Sequence, residues 1–398
     1  MIRTGAWSRE GGLVARLSLA AVPVGFGQSA VLALVPVTAD RIGLDAAAMG
    51  AVAFLGSIVF LLCAPAWGHC GTGWRLRRLF LVLAALMALG HGLFGIALTL
   101  DALPAAACFA LLVLSRIAYG AGAAGVMPHA QAALVRETPE AARPAVLGQL
   151  SAGLSTGRIL GSLVMVVGIL GLAAPLVVLA ASPLLLLAAP DLARAHRPAP
   201  ARDGRNRGWM RAGAPLFGIG FALTFGLGQI QIVLGLFLQQ RFGLGAPAAA
   251  GLGGATFALV AVTMILTQLL LVPRLGRDLG RNLRLGLAGF ACGAALIACA
   301  AAPWMAMLGA AVAAAGIALA TPNYTASLVA RVPEHRQAAA AGWLSSVHVL
   351  GQGIGALCGG AAYAIDPALP FWTCAAMGAA LAAGTALLPM RAADHRAA

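Results

Sequence analysis

Twelve apolar runs follow one another along this chain, each about as long as a bilayer is thick, with short breaks between them. They lie at 13–37, 46–67, 79–100, 103–128, 145–168, 171–190, 213–238, 247–272, 284–301, 304–329, 339–363 and 368–390. A helix needs about 20 predominantly apolar residues to cross the hydrocarbon core. Inside a bilayer every backbone N–H and C=O must be paired within the protein, so runs of this length predict helices. Composition supports the reading, since 61% of the 398 residues are apolar and 10% charged. A soluble domain carries roughly 25% charged residues, so too few polar side chains remain to cover a water-facing surface. A soluble enzyme, a nucleic-acid binder and a secreted disulfide scaffold are excluded. The expected fold class is an all-α membrane protein with twelve transmembrane helices.

The charges carry topology. All 26 basic residues are Arg, and Lys is absent. Without Lys the chain lacks the phosphate-binding residue of a P-loop and the amine of Schiff-base chemistry, so it cannot by itself be an ATP-driven pump. Counting Arg16 and Arg284 at the edges of the first and ninth runs, the stretch before the first run, the even-numbered loops and the stretch after the last run hold 22 of the 26 Arg, the odd-numbered loops two (Arg41 and Arg241). The positive-inside rule then places both termini in the cytoplasm. The net charge of +14 is topological, and no nucleic-acid partner is expected. Arg3 and Arg9 before the first run and Arg16 at its edge imitate a signal peptide, but the run is too long for one and is expected to be retained. Seven Cys are scattered without metal-ligand spacing, so no metal and no cofactor are expected.

The chain repeats itself. Adding 194 takes Pro128 to Pro322, Pro139 to Pro333, Glu140 to Glu334, Gly148 to Gly342, Ser151 to Ser345, Gly157 to Gly351 and Gly161 to Gly355. A second register of 200 pairs Arg41, Gly43 and Leu44 with Arg241, Gly243 and Leu244. The expected domains are a six-helix bundle over 1–190, a basic cytoplasmic linker over 191–212 and a second six-helix bundle over 213–398. Two parallel halves of six helices are a transporter architecture, with the site near the midplane.

Within the fourth run, Gly120, Gly122 and Gly125 match GxGxxG, but they follow an apolar helix rather than a strand, so they predict close helix packing instead of nucleotide binding. Arg116 stands in the same run. A charge at that depth costs at least about 2.5–3.5 kcal/mol on insertion scales, and Arg cannot shed its proton.

Arg116, Gly120 and Gly122, with Tyr119 between them, resemble the fourth-helix motif of the major facilitator superfamily in its twelve-span proton-antiporter branch. The loop after the second run, GHCGTGWRLRR, is similar to the family's loop motif. It keeps Gly68, Arg77 and Arg78, with Thr72 in place of the family's Asp and Arg75 in place of a Gly. The loop after the eighth run keeps Gly280 and Arg281, with Arg277 and Asp278 in swapped order. GLSTGRILGS resembles the fifth-helix motif of exporters, keeping Gly153, Gly157 and Gly161 but carrying Arg158 at the Pro position. Several segments resemble inner-membrane exporters of small hydrophilic siderophores of the alcaligin and vibrioferrin type. The resemblance implies a bacterial inner-membrane secondary transporter, not an enzyme, working as a monomer that exports a small polar or anionic compound with protons as coupling ion. A multidrug efflux pump and an importer of a small polar solute are the alternatives.

The family's cavity-lining helices would here present Gln28, Arg116, Tyr119, Gln229, Gln231, Asn323 and Tyr324, joined by Arg158. This set suits a ligand rich in oxygen acceptors, with Arg as a bidentate partner of carboxylate or hydroxamate. Gating is expected from Gly68, Arg77, Arg78, Gly120, Gly153, Gly157, Gly161, Asp278 and Arg281. Proton coupling usually uses a buried carboxylate, yet all 12 acids lie in loops or at run ends. The remaining candidates are Asp40, His91, His348 and, near the inner end of the fourth run, His129.

Overall fold

The computed structural model describes residues 4–100, 102–192, 208–276, 278–333 and 336–385, and every regular element among them is helical. The α-helices are α1 (Thr4–Ala33), α2 (Val35–Ile42), α3 (Ala46–Cys70), α4 (Leu76–Thr99), α5 (Ala105–Glu137), α6 (Arg143–Ser162), α7 (Ala173–Ala181), α8 (Gly208–Phe242), α9 (Ala246–Leu266), α10 (Leu279–Ala298), α11 (Pro303–Val329), α12 (Gln337–Ile365) and α13 (Leu369–Gly384). Of the basic linker expected at 191–212, residues 193–207 lie outside the described residues, as do Asp101, Arg277 and Glu334.

All twelve runs have a helical counterpart. The first is split into α1 and α2 at Leu34, just before Pro36, whose missing N–H interrupts the hydrogen-bond ladder. Three others change helix type rather than stop. The fifth tightens to 3-10 geometry over Val164–Leu170, and the sixth does so over Ser182–Ala188. The eighth widens to a π turn over Thr267–Leu271. Eight helical stretches are long and apolar enough to cross a membrane, and Ala173–Ala188 and Leu369–Gly384 are apolar but shorter. α10 and α12 are long but more polar, with Arg281, Asn282 and Arg284 on one and Gln352 and His348 on the other. Large apolar side chains such as Leu62, Val166, Leu170, Leu269 and Trp304 face outward and exposed. That surface needs lipid, not water.

The chain forms two compact units. One comprises residues 1–44, 55–199 and 246–258, and the other 45–54, 200–245 and 259–398. They follow the two halves of the repeat except that α3 and α9 each give their first turns to the other half's unit. In the first unit α1 packs along α6 and α4 along α5; in the second α8 packs along α12 and α10 along α11.

Glycine makes these pairings possible, because only a residue without a Cβ lets two helix backbones approach this closely. A Cβ on Gly157 or Gly161 would overlap the carbonyls of Val22 or Phe26; on Gly351 or Gly355 it would overlap Phe221 or Phe225. The repeat is therefore three-dimensional. It extends to Pro128 and Pro322, each inside a helix, and to Gly43 and Gly243, which end α2 and α8 with φ of 71° and 62°. Left-handed φ of this kind is strained for any residue with a Cβ.

At the loop end of α4 an ion pair stands where the sequence suggests none. Arg75 donates from Nε and Nη2 to the two carboxylate oxygens of Asp191, at 2.8 and 2.6 Å. The Leu76 amide donates to the Leu192 carbonyl beside it. The loop after α3 is thereby tied to the end of the sixth run. Hydrogen bonding to Arg75, then its charge, holds the Asp191 carboxyl below the ordinary carboxylate range. A lowered folded pKa means the contribution is present above the unfolded value near 3.9 and lost only as pH falls through the lower folded value. Both side chains are exposed, so water screens the pair and its contribution to stability is small. Asp191→Asn is expected to slow transport no more than about fivefold and to leave its profile between about pH 5 and 8 unmoved. A displaced profile in vesicle transport would contradict this.

Candidate functional site

The first unit carries an unusual density of polar groups at mid-span. Arg116, on α5, is 8% exposed. Its guanidinium lies 5.7 Å from the ring centroid of Phe94 and 5.2 Å from that of Tyr119, and Nη2 donates to Ser115 Oγ at 3.1 Å. Its stem passes Gly56 of α3 at 3.6–3.9 Å from where a Cβ would stand. The charge is stabilised by two aromatic faces rather than by a carboxylate. The Tyr119 hydroxyl donates to the Val24 carbonyl on α1 at 2.7 Å, joining the α4–α5 pair to the α1–α6 pair.

Arg158 is placed differently. It sits mid-span on α6 yet is exposed, and Nη2 reaches Gln28 Oε1 on α1 at 3.4 Å. Gly25 makes room for it, since a Cβ there would stand 3.1 Å from Arg158 Cγ. The acids on these helices, Glu10 and Glu137, stand at helix ends. Neither mid-span Arg therefore has a carboxylate among the described residues of its bundle at that depth.

His91, on α4, is fully buried, and neither ring nitrogen has a hydrogen-bond partner. Its ring packs on Tyr119 with centroids 4.9 Å apart, and Gly27 leaves it space. Asp40 is exposed at the end of α2.

The second unit has uncharged pairs instead. Gln352 Nε2 donates to Gln231 Oε1 at 2.6 Å, joining α12 to α8. The first unit's Arg158–Gln28 contact is its counterpart, and Gln352 is the repeat partner of Arg158. The Tyr324 hydroxyl, 1% exposed, lies 2.8 Å from His348 Nε2. Gln229 is 2% exposed and accepts from Thr373 on α13. Asn323 is 5% exposed and donates back to the Leu319 carbonyl of its own helix. These two serve packing, whereas Gln28 and Gln231 are half-buried.

The loop residues divide in the same way. Gly120 lies against the Gly56 carbonyl, and Gly153 against that of Ser18. Arg78 stacks over Trp74, and Arg77 is exposed. Asp278 caps α10 by accepting from the Arg281 amide at 2.9 Å. Gly68 lines a cavity of about 140 Å³ with Trp74, His129 and Arg136, well below the roughly 300–1,000 Å³ of small-molecule sites. Sequence reasoning missed Asp191, Gln352 as a polar partner, and the Tyr363–Gln240 bond between α12 and α8. A lone acid closing the sixth run was the signal available for Asp191.

Because Arg116 packs against rings and no carboxylate, Arg116→Leu removes a costly buried charge without orphaning a partner ion. It is expected to leave thermal stability unchanged or raised and to cut transport at least about tenfold, about 1.4 kcal/mol of barrier. A stable variant that transports at the native rate would make the charge incidental.

The family model described as Major Facilitator Superfamily matches residues 17–303. Multidrug resistance protein 1 of Bacillus subtilis (strain 168) is 26% identical over 271 residues, 64% of this chain and 64% of that one. The chain thus matches somewhat less than two thirds of that relative's length. Among solved structures, a peptide transporter POT in complex with sulfate superposes with a TM-score of 0.74 at 14% identity, covering 94% of each chain. The xylose transporter XylE from E. coli gives 0.70 at 14% identity, covering 96% of this chain and 98% of that one. At such identities the likeness is one of fold.

Proposed function

Because the chain belongs to the Major Facilitator Superfamily and is a multi-pass secondary transporter rather than an enzyme, we propose that it exports a small anionic or oxygen-rich compound, of the siderophore class, from the cytoplasm of a bacterium. In this reading it sits in the inner membrane as a monomer with both termini cytoplasmic, and protons moving inward drive the cargo outward. The observation that carries the reading is Arg158, exposed at mid-span beside Gln28 with no carboxylate at that depth among the described residues of its bundle. A permanent charge there has to be offset, and an anionic ligand offsets it only while bound, which is what a transport site requires. The planar fork of Arg matches carboxylate and hydroxamate oxygens. Gln28 supplies a neutral donor and acceptor beside it. Arg116, beneath Tyr119, adds positive potential without touching the ligand. Export over import is supported by the glycines of α6, which resemble the fifth-helix motif of exporters, and by the likeness to a multidrug resistance protein.

The same likeness supports a second reading, a multidrug pump. Drug pumps that accept cations need negative charge in the cavity, and the first unit has the opposite sign. The two separate in everted membrane vesicles offered a radiolabelled carboxylate siderophore of the vibrioferrin type and, in parallel, a permanently cationic dye. Accumulation of the siderophore, stimulated by an acidic lumen, is the expected result. Accumulation of the dye alone would overturn the proposal in favour of the drug pump, and loss of preloaded siderophore toward the bath would reverse the direction.

A further inference from the structure

Four side chains are candidates to carry a coupling proton, and their surroundings differ; His129 sets its Nδ1 2.8 Å from the Gly125 carbonyl of its own helix. We infer that His348, hydrogen-bonded to Tyr324, is the group that takes up and releases the coupling proton; this rests on the proton-coupled export proposed above. Asp40 is exposed at a helix end, outside the polar groups of its bundle. His91 is completely buried, neither nitrogen has a partner, and the guanidinium of Arg116 lies over the same Tyr119 ring that His91 packs against. A proton added there would have no acceptor for its N–H and a fixed positive charge close by.

His348 has what His91 lacks. It is half-buried. Its Nε2 lies 2.8 Å from the buried Tyr324 hydroxyl, with the rings at 85°. The groups facing it are neutral. On α8, Gly220 stands against it, a Cβ there falling 3.0 Å from Nε2. The next polar group on α8, Thr224, is turned back on the Gly220 and Phe221 carbonyls. Arg211 and Arg241 are at the ends of α8, and α11 and α12 contain no Asp, Glu or Arg. On α13 the ionisable group is Cys374, which donates to the Gly226 carbonyl on α8. Residues 45–54, which belong to this unit, bring only Asp45, bonded to the Ala48 amide at its own helix start. His348 is thus the one histidine within the described helices α8, α11 and α12.

The bond occupies a mechanical position. α11 packs along α10 and α12 along α8, while α11 and α12 touch only lightly. Tyr324–His348 is a side-chain to side-chain hydrogen bond between those two pairs. In the neutral tautomer that carries its proton on Nδ1, the tyrosine O–H donates to Nε2. Uptake of one proton from water gives the imidazolium, with N–H on both nitrogens. Nε2 then donates, and the tyrosine oxygen accepts while its own hydrogen turns away from the ring. Release reverses each step. Proton binding therefore reverses the link between two helix pairs of one unit, in a setting where no carboxylate holds the charge.

Two measurements test this. The full chain, labelled with 15N-histidine in nanodiscs and free of cargo, is titrated between about pH 5 and 8.5. One imidazole signal, absent in His348→Gln, is expected to pass from neutral to doubly protonated, with a midpoint displaced by Tyr324→Phe. The unchanged signals of the other histidines report that both variants are folded. In everted vesicles, stimulation of vibrioferrin-type siderophore uptake by an acidic lumen is expected to fall at least about tenfold in His348→Gln, with downhill exchange retained. A His348 ring that stays in one protonation state, or a His348→Gln protein still driven by the gradient, would overturn the assignment. Native vesicles that move the siderophore without responding to the gradient would end proton coupling and this assignment together. Native vesicles that do not move it would end the substrate reading alone, and the nitrogen titration would still decide for or against His348.

Discussion

Replacing Gly157 and Gly161 together by Leu is expected to abolish transport and to lower the thermal midpoint of the detergent-solubilised protein by on the order of 10 °C. The cause is backbone against backbone. At both positions the first added carbon overlaps a carbonyl of α1, that of Val22 or Phe26, and a carbonyl in a helix cannot swing aside as a flexible side chain can. α1 and α6 would have to separate along their length. Overpacking of this kind costs about 1–3 kcal/mol per site where a core can adjust, and more where a helix axis has to move. Gly148, on the same helix, has nothing within 4 Å of an added Cβ. Gly148→Leu is therefore the matched control and is expected to melt with the native protein. The counterpart pair Gly351→Leu and Gly355→Leu is expected to do the same damage to the α8–α12 contact, since those glycines meet Phe221 and Phe225 in the same way. A double variant of either half with native melting and native transport would show that the close approach is dispensable.

These glycines were legible in the sequence because spacing is a local property. Gly153, Gly157 and Gly161 recur every fourth residue, so they share one helix face, and the repeat of Gly157 and Gly161 at a constant offset marked them as structural in both halves. The twelve runs were legible for the same reason, since hydropathy over 20 residues needs no knowledge of neighbours. The break at Leu34, the 3-10 ends of the fifth and sixth runs and the π turn near Thr267 were not, because helix type at a membrane helix end depends on what it packs against. The partition of α3 and α9 between units escaped for the same reason. A repeat seen in sequence assigns whole helices to halves, whereas packing assigns turns.

The polar residues show a similar division. Arg116 and Arg158 look alike in sequence, both charges amid apolar residues, but the structure separates them. One is stacked under rings and 8% exposed, while the other is open beside Gln28. Gln229 and Gln231 are two residues apart, so they point to different sides of α8, one toward Thr373 of α13 and the other toward Gln352 of α12. Asp191 pairs with Arg75 across 116 positions, a distance over which no periodicity operates. The loop motif lacked its family acid at Thr72, and a different acid serves Arg75.

Arg158→Gln is expected to weaken binding of an anionic siderophore by roughly 10- to 150-fold, the range set by losing a hydrogen bond to a charged group worth about 1.5–3 kcal/mol, while Arg158→Lys is expected to weaken it less. The second unit already contains the outcome of the first substitution, for at the repeat position Gln352 bonds Gln231 across the same kind of helix pair. A Gln at 158 facing Gln28 therefore recreates a pairing this fold accommodates, so the fold is expected to survive and the loss to fall on the ligand. Lys keeps the charge, and with it the long-range attraction, but replaces a planar fork by a point donor that cannot hold two oxygens at fixed spacing. The order native, Lys, Gln thus separates charge from geometry. A ligand that needs only charge ranks Lys with the native protein, and one that needs bidentate contact ranks Lys nearer Gln. The cationic dye reports the opposite sign. Removing a positive charge at mid-span is expected to ease its passage if it enters at all. Ligand-induced shifts in thermal midpoint give the affinities, and uptake by everted vesicles gives the rates for both probes. Equal movement of dye and siderophore, with neither changed by Arg158→Gln, would place Arg158 outside the transport route and make the protein a pump of cationic drugs.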